Sequence, residues 1–141
     1  MSIIKPFTLD PRLAGDTLAV CNLPLSTVRL MNDCRFPWLI LVPRRADASE
    51  INDLEPADRL RLWDEVATVS RTLEAIALPK KLNVAAIGNI VSQLHVHIVA
   101  RRENDAAWPR PVWGVGVAEA YLPSLADALI ASLSERLVVT I

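Results

Sequence analysis

The longest regular pattern in the chain is an apolar stripe that opens at Pro56 and closes before Pro79. Its members recur at intervals of three and four residues: Leu62, Val66, Val69, Leu73 and Ile76. This spacing follows the helical repeat of about 3.6 residues per turn, and proline is well tolerated at the first helical position. A helix with one apolar face packs that face on another layer, so the sequence predicts a helix lying on a sheet.

Five further segments have the apolar or alternating pattern of β-strands. They are residues 16–22, 26–32, 38–42, 82–87 and 93–101. The continuous run at 38–42 is typical of a buried central strand, and Gly88-Asn89 predicts a tight connection between the last two strands. A second helix is predicted over 122–137, after an irregular segment at 107–116. This order predicts an α+β fold with a mostly antiparallel five-stranded sheet and two main helices.

Composition narrows the class of protein. Hydrophobic residues make up 52% of the 141 residues, charged residues 22%, and the formal net charge is −1, which indicates a folded soluble domain without the basic excess of nucleic-acid binders. No apolar run approaches the roughly 20 residues of a membrane-spanning helix, and the N-terminus lacks the pattern of a signal peptide. Cys21 and Cys34 fit two reduced thiols in a cytoplasmic protein, although a single disulfide between them stays open.

The only two histidines, His95 and His97, lie on the last predicted strand with Gln93. Side chains two positions apart share a face of a strand, so the three are expected to project to one side. Two adjacent imidazoles offer a nucleophile or an acid–base pair near neutral pH. A purely structural role would demand hydrogen-bond partners for all three polar side chains. A metal site would need further ligands, yet there is no third histidine and Glu103 lies beyond the strand end, so no metal is predicted.

The stretch 83–99, NVAAIGNIVSQLHVHIV, resembles the signature of the histidine triad (HIT) superfamily. His95 matches the middle histidine of the triad and His97 the third, while Gln93 stands in the place of the first. The sequence is therefore similar to bacterial HIT-like nucleotide hydrolases, as a variant with the pattern QxHxH.

Other positions extend the resemblance over about residues 16–113. Asn83 matches the asparagine of the signature, and Gly88-Asn89 matches its Gly-Gln pair. Asn32-Asp33 and the following strand are similar to the family's acidic residue and its strand ending in proline, and Trp108-Pro109 resembles the Trp-Pro of nucleotide-binding members. The resemblance implies one HIT-like domain over residues 1–141, and usually a homodimer.

By this resemblance, His95 attacks the α-phosphorus of a nucleotide and forms a nucleotidyl-histidine, which water then hydrolyses. His97 contacts the phosphate or the leaving group. Substrate-binding roles are implied for four residues: Asn83 and Asn89 near the phosphate, Asp33 at the ribose and Trp108 at the base. The expected ligands are a purine nucleotide or a dinucleoside polyphosphate, and no cofactor is required.

Two departures from the family pattern leave a second function open. Gln93, the third candidate catalytic residue, cannot carry a proton, although its amide can still donate to a phosphate oxygen or a neighbouring carbonyl. Ile90 removes a polar side chain near the phosphate. The alternative is a nucleotide-binding or sensor protein with weak or no catalysis, in which Gln93→His would raise turnover. Trp38 and Trp63 are interpreted as core or interface residues. For Trp108 and Trp113, covering a nucleobase and sealing a dimer interface are both open.

Overall fold

A computed structural model describes the backbone of residues 5–140 and the side chains of residues 5–138. Five strands form one antiparallel sheet in the spatial order β1-β2-β3-β5-β4. Their bounds are β1 Thr17–Asn22, β2 Ser26–Met31, β3 Trp38–Pro43, β4 Lys81–Ala85 and β5 Val96–Arg101. The predicted α+β class and five-stranded antiparallel sheet are confirmed.

Within the described residues, three α-helices accompany the sheet, α1 Pro11–Asp16, α2 Pro56–Ala77 and α3 Pro123–Thr140, and a short 3-10 helix spans Ile51–Asp53. The two long helices match the predicted ones. Helix α1 is an addition with a local cause, because the Asp10 side chain accepts a hydrogen bond from the Arg12 N–H and Pro11 occupies the first turn. None of the described helices has the length and apolar character to cross a membrane.

Each face of the sheet packs against its own hydrophobic cluster. On one face, the stripe of α2 and residues Leu133 and Leu137 of α3 cover alternate residues of β2, β3 and β5. On the other face, Leu13 of α1, Phe36, Ala107 and Val112 cover Trp38, Ile40, Val42 and Val99. Strand β3 is buried along its whole length, which explains why its sequence is apolar without alternation.

The connection between β4 and β5 corrects two expectations. Strand β5 begins at Val96 rather than at residue 93, and residues 86–95 separate the strands, so the tight connection predicted at Gly88-Asn89 is wrong. The backbone bonds of this segment go elsewhere, because the Leu94 N–H donates to the carbonyl of Ala48 at 2.9 Å. The segment is therefore a loop bound to other parts of the fold.

Candidate active site

A cavity of about 310 Å³ lies on the face of the sheet covered by α1 and has both histidines in its wall. Its volume is at the small end of the range for small-molecule sites. The remaining wall is mostly apolar: Leu13, Met31, Ile87, Ile90, Val91 and Trp113. Arg12, Asp16 and Asn89 add polar groups. The cavity therefore combines an apolar compartment with two imidazoles.

Two further cavities have different linings. A groove of about 650 Å³ lies between α2 and α3 and is lined by polar residues such as Thr68, Arg71 and Glu135. A small polar pocket of about 150 Å³ lies beside His95 and includes Ser49, Glu50 and Ser92. Neither contains both histidines, so the cavity beside α1 is the candidate active site.

His95 has one ring nitrogen engaged and one available. Its Nδ1 lies 2.6 Å from the backbone carbonyl oxygen of Gln93. A carbonyl only accepts hydrogen bonds, so this contact assigns the proton of the neutral ring to Nδ1. The lone pair is then on Nε2. A neutral imidazole held in this way has the form that a nucleophile needs.

His97 is packed between two tryptophans. Its ring centroid lies 5.7 Å from that of Trp38 and 5.1 Å from that of Trp113, and only 5% of the residue is exposed. The indole N–H of Trp38 donates to Nδ1 of His97 at 3.0 Å. Burial, together with the neighbouring His95, lowers the pKa of His97 to about 3. His97 is therefore neutral at physiological pH, with its ring centroid 4.8 Å from that of His95.

The side chain of Gln93 does not join the histidines. Its amide group donates to the carbonyl of Thr8 at 2.9 Å, and its side-chain oxygen accepts from the N–H of Asp10 at 2.8 Å. The expectation that Gln93, His95 and His97 lie together on the last strand is wrong, because Gln93 and His95 both precede β5, which begins at Val96. Its backbone carbonyl contacts Nδ1 of His95, and both residues line the small polar pocket.

Asp33 is fully engaged within the protein. It is 2% exposed, and Arg35 binds its two carboxylate oxygens at 3.0 and 2.8 Å. The N–H of Glu119 adds a further donor at 3.3 Å. Burial opposes ionisation, but these hydrogen bonds and the charge of Arg35 hold the pKa of Asp33 below its usual value. Asp33 does not line the cavity with the histidines.

Asn83 and Trp108 belong to a network around Arg101, which is 1% exposed. Arg101 donates to the side-chain oxygen of Asn83 at 2.7 Å and to Asp105 at 2.8 Å. Asp105 also accepts from the N–H of Trp108 at 2.7 Å, and the guanidinium lies 5.6 Å from the Trp108 ring centroid. This network fixes the segment after β5, and neither Asn83 nor Trp108 lines the cavity. Of the four predicted substrate-binding residues, Asn89 alone does so.

The sequence does not indicate one group of wall residues and one hydrogen bond to a wall residue. Helix α1 contributes Arg12, Leu13 and Asp16, and its signal was the Asp10-Pro11 pair, which is typical of a helix start. The sequence predicts Trp38 only as a core or interface residue, whereas its indole also donates a hydrogen bond to His97. Nothing in the sequence pattern indicates that bond.

The family model of the HIT domain matches residues 13–104. The chain belongs to the HIT family. Solved structures agree with this. A histidine triad protein from Bradyrhizobium japonicum is 47% identical with a TM-score of 0.92, and the match covers 94% of this chain and 99% of that one. No curated protein matches the chain by sequence.

Two other histidine triad proteins have comparable similarity. The one from Sinorhizobium meliloti 1021 is 47% identical, with a TM-score of 0.90 and coverage of 92% of this chain and 96% of that one. The one from Marinobacter aquaeolei VT8 is 39% identical, with a TM-score of 0.92 and coverage of 94% and 97%. HIT proteins generally bind nucleotides and are commonly nucleotide hydrolases.

Proposed function

We propose that this HIT protein is a nucleotide hydrolase or transferase that acts on the α-phosphate of a nucleoside phosphoramidate or dinucleoside polyphosphate. The observation that carries the proposal is the hydrogen bond between Nδ1 of His95 and the carbonyl of Gln93, at 2.6 Å. It leaves the Nε2 lone pair for attack, in the wall of a cavity of suitable size.

The reaction proceeds in two displacements at phosphorus. Nε2 of His95 forms a bond to the α-phosphorus, and the bond to the leaving group breaks with its electron pair, which a proton from solvent then neutralises. Water attacks the nucleotidyl-histidine, releasing a nucleoside monophosphate and the free imidazole. His97 contacts the phosphate or the leaving group during both steps. No metal or cofactor takes part.

Of the four predicted substrate-binding residues, one is proposed to contact the substrate directly and three only after a rearrangement. Asn89 meets the substrate at the cavity wall. Asn83, Asp33 and Trp108 would reach it only after their present partners yield, because Arg101 engages Asn83 and Trp108 and Arg35 engages Asp33. The apolar wall, with Leu13 and Trp113, fits the base of a purine nucleotide.

The test is to incubate the protein with adenosine phosphoramidate and, separately, with a diadenosine polyphosphate, and to measure release of adenosine monophosphate. Loss of the nucleophile in His95→Ala is expected to lower kcat by at least about 10³-fold. Glu74→Ala, on the exposed face of α2, is the matched control and keeps full activity. Full activity in His95→Ala, or the absence of a nucleotidylated protein in rapid-quench mass spectrometry, would overturn the mechanism.

A second candidate is a nucleotide-binding or sensor protein with weak or no catalysis. Two facts about Gln93 favour it: a glutamine amide carries no titratable proton, and this one is held by Thr8 and Asp10. This candidate predicts nucleotide binding in calorimetry without release of monophosphate. Rapid turnover of either substrate would exclude it.

We also propose that the protein is a homodimer in the cytoplasm. Strand β4 lies at an edge of the sheet, where its free backbone groups and the half-exposed Val84 can meet a second copy. Sedimentation should give the mass of two chains for the wild type and of one chain for Val84→Asp; a monomeric wild-type protein would contradict the proposal.

The free thiols of Cys21 and Cys34 support the reducing compartment that the proposed cytoplasmic location implies.

A further inference from the structure

We infer that Trp38 is a positioning residue that fixes His97 as the tautomer with its proton on Nε2, opposite to the tautomer of His95. The inference extends the proposed function to a residue that does not touch the substrate. It rests on the proposed function only where it concerns turnover.

The indole of Trp38 determines the tautomer because it has only one role in a hydrogen bond. An indole N–H donates and cannot accept, so Nδ1 of His97, 3.0 Å away, must present its lone pair. The proton of the neutral ring is then on Nε2. Trp38 is itself fixed, since it is 6% exposed at the start of β3 and its ring lies 6.4 Å from that of Phe36.

The two histidines therefore offer complementary nitrogens. The carbonyl of Gln93 leaves His95 with a lone pair on Nε2, and the indole of Trp38 leaves His97 with an N–H on Nε2. One ring can attack phosphorus while the other donates to a phosphate oxygen. Burial and the neighbouring His95 lower the pKa of His97, which keeps this donor neutral. His97 thus acts as a fixed hydrogen-bond donor to developing negative charge.

Packing alone does not explain the contact, and the protein contains its own comparison. Trp113 lies against the same ring of His97, with 5.1 Å between centroids, but its buried indole N–H has no hydrogen-bond partner among the described residues. Trp38→Phe removes an indole that donates to His97. Trp113→Phe removes one that only packs on it.

Nitrogen-15 NMR of the unliganded protein tests the inference directly. In the wild type, His97 should show an unprotonated Nδ1 and a protonated Nε2 across about pH 5 to 8, with a scalar coupling from Trp38 Nε1 across the hydrogen bond to Nδ1. In Trp38→Phe the two nitrogen shifts should move toward each other, and in Trp113→Phe they should stay at the wild-type values. A protonated Nδ1 or averaged nitrogens in the wild type would overturn the inference, and this measurement needs no variant to fold.

Turnover provides the functional arm. In Trp38→Phe we expect kcat to fall roughly tenfold with KM changed less than about threefold, because the donor is misplaced in the transition state while the cavity remains. An unchanged kcat in a folded Trp38→Phe, verified by circular dichroism, would count against a positioning role. If the wild type turns over neither substrate, the proposed function fails, while the NMR result still decides the role of Trp38.

Discussion

The side-chain oxygen of Gln93 accepts a hydrogen bond from the backbone N–H of Asp10 across 83 residues of sequence, at 2.8 Å. The same side chain donates to the carbonyl of Thr8. It thereby attaches the segment that leads into α1, whose Leu13 and Asp16 form part of the cavity wall. At the position where the family resemblance expects a histidine, this chain has a residue that holds the wall in place.

Gln93→Ala should therefore destabilise the protein and weaken ligand binding together. Loss of one partly buried and one exposed hydrogen bond is expected to lower the free energy of unfolding by about 1–2 kcal/mol. The measurement is urea denaturation, with calorimetric titration of adenosine monophosphate for affinity. An unchanged urea midpoint and an unchanged affinity for adenosine monophosphate would show that the two hydrogen bonds of Gln93 support neither the fold nor the cavity.

Gln93→His is expected to leave turnover unimproved. The side chain at position 93 binds Thr8 and Asp10 and is not among the residues that line the cavity, so the new imidazole is not expected to reach the phosphate. This expectation reverses the one based on sequence alone. Release of adenosine monophosphate measures it, and a clear gain over the wild type would mean that residue 93 turns toward the phosphate.

The ion pair between Arg101 and Asp105 should make the fold sensitive to acid. Burial opposes ionisation of Asp105, but Arg101 and the N–H groups of Ala107, Arg102 and Trp108 hold its pKa far below the usual value. Since the folded-state pKa lies below that of the unfolded chain, the stabilisation is complete above about pH 4 and is lost as pH falls further.

Asp105→Asn should accordingly cost about 3 kcal/mol at neutral pH, because Arg101 is left buried without its counter-charge. The difference from the wild type should shrink near about pH 3, where the wild-type carboxylate begins to lose its advantage. Urea denaturation at the two pH values measures both effects. A cost that does not change with pH would contradict the assignment.

His97 should also make the folded protein less stable as the pH falls, although for a different reason than Asp105. Burial and the neighbouring His95 lower the pKa of His97 to about 3 in the folded protein. In the unfolded chain the same imidazole has its usual pKa of about 6.5, so between these two values only the unfolded chain binds the proton. Stability should therefore decline as pH falls below about 6.5, and less so in His97→Phe. Carbon-bound proton shifts of His97 that titrate between about pH 5 and 8 would refute the prediction.

The sequence predicts the framework of this protein well, because the apolar pattern of each helix and strand reflects which of its faces are buried. The stripe of α2 and the unbroken apolar run of β3 are local signals of burial on one face and on two. Periodicity also identifies His95 and His97 as members of the site, since their spacing persists whether or not both belong to a strand.

The features that were missed depend on partners distant in sequence. The N–H of Leu94, just before β5, donates to the carbonyl of Ala48 rather than to a neighbouring strand. The direction of the Gln93 side chain is fixed by its hydrogen bonds with Thr8 and Asp10. Asp33 has the chemistry of a ribose ligand, yet a guanidinium two residues away occupies it. The residue type indicates which hydrogen bonds a side chain can make, whereas the fold determines which partner lies within reach.

The attachment of the N-terminal segment by Gln93 has a consequence for how the protein is made. A ribosome delivers Thr8 and Asp10 long before it delivers the residue that binds them. The first half of the nascent chain can form helices and hairpins, but the wall contributed by α1 is fastened only after residue 93 has emerged. A ligand of the cavity therefore finds this part of the wall only after residue 93 has joined the fold.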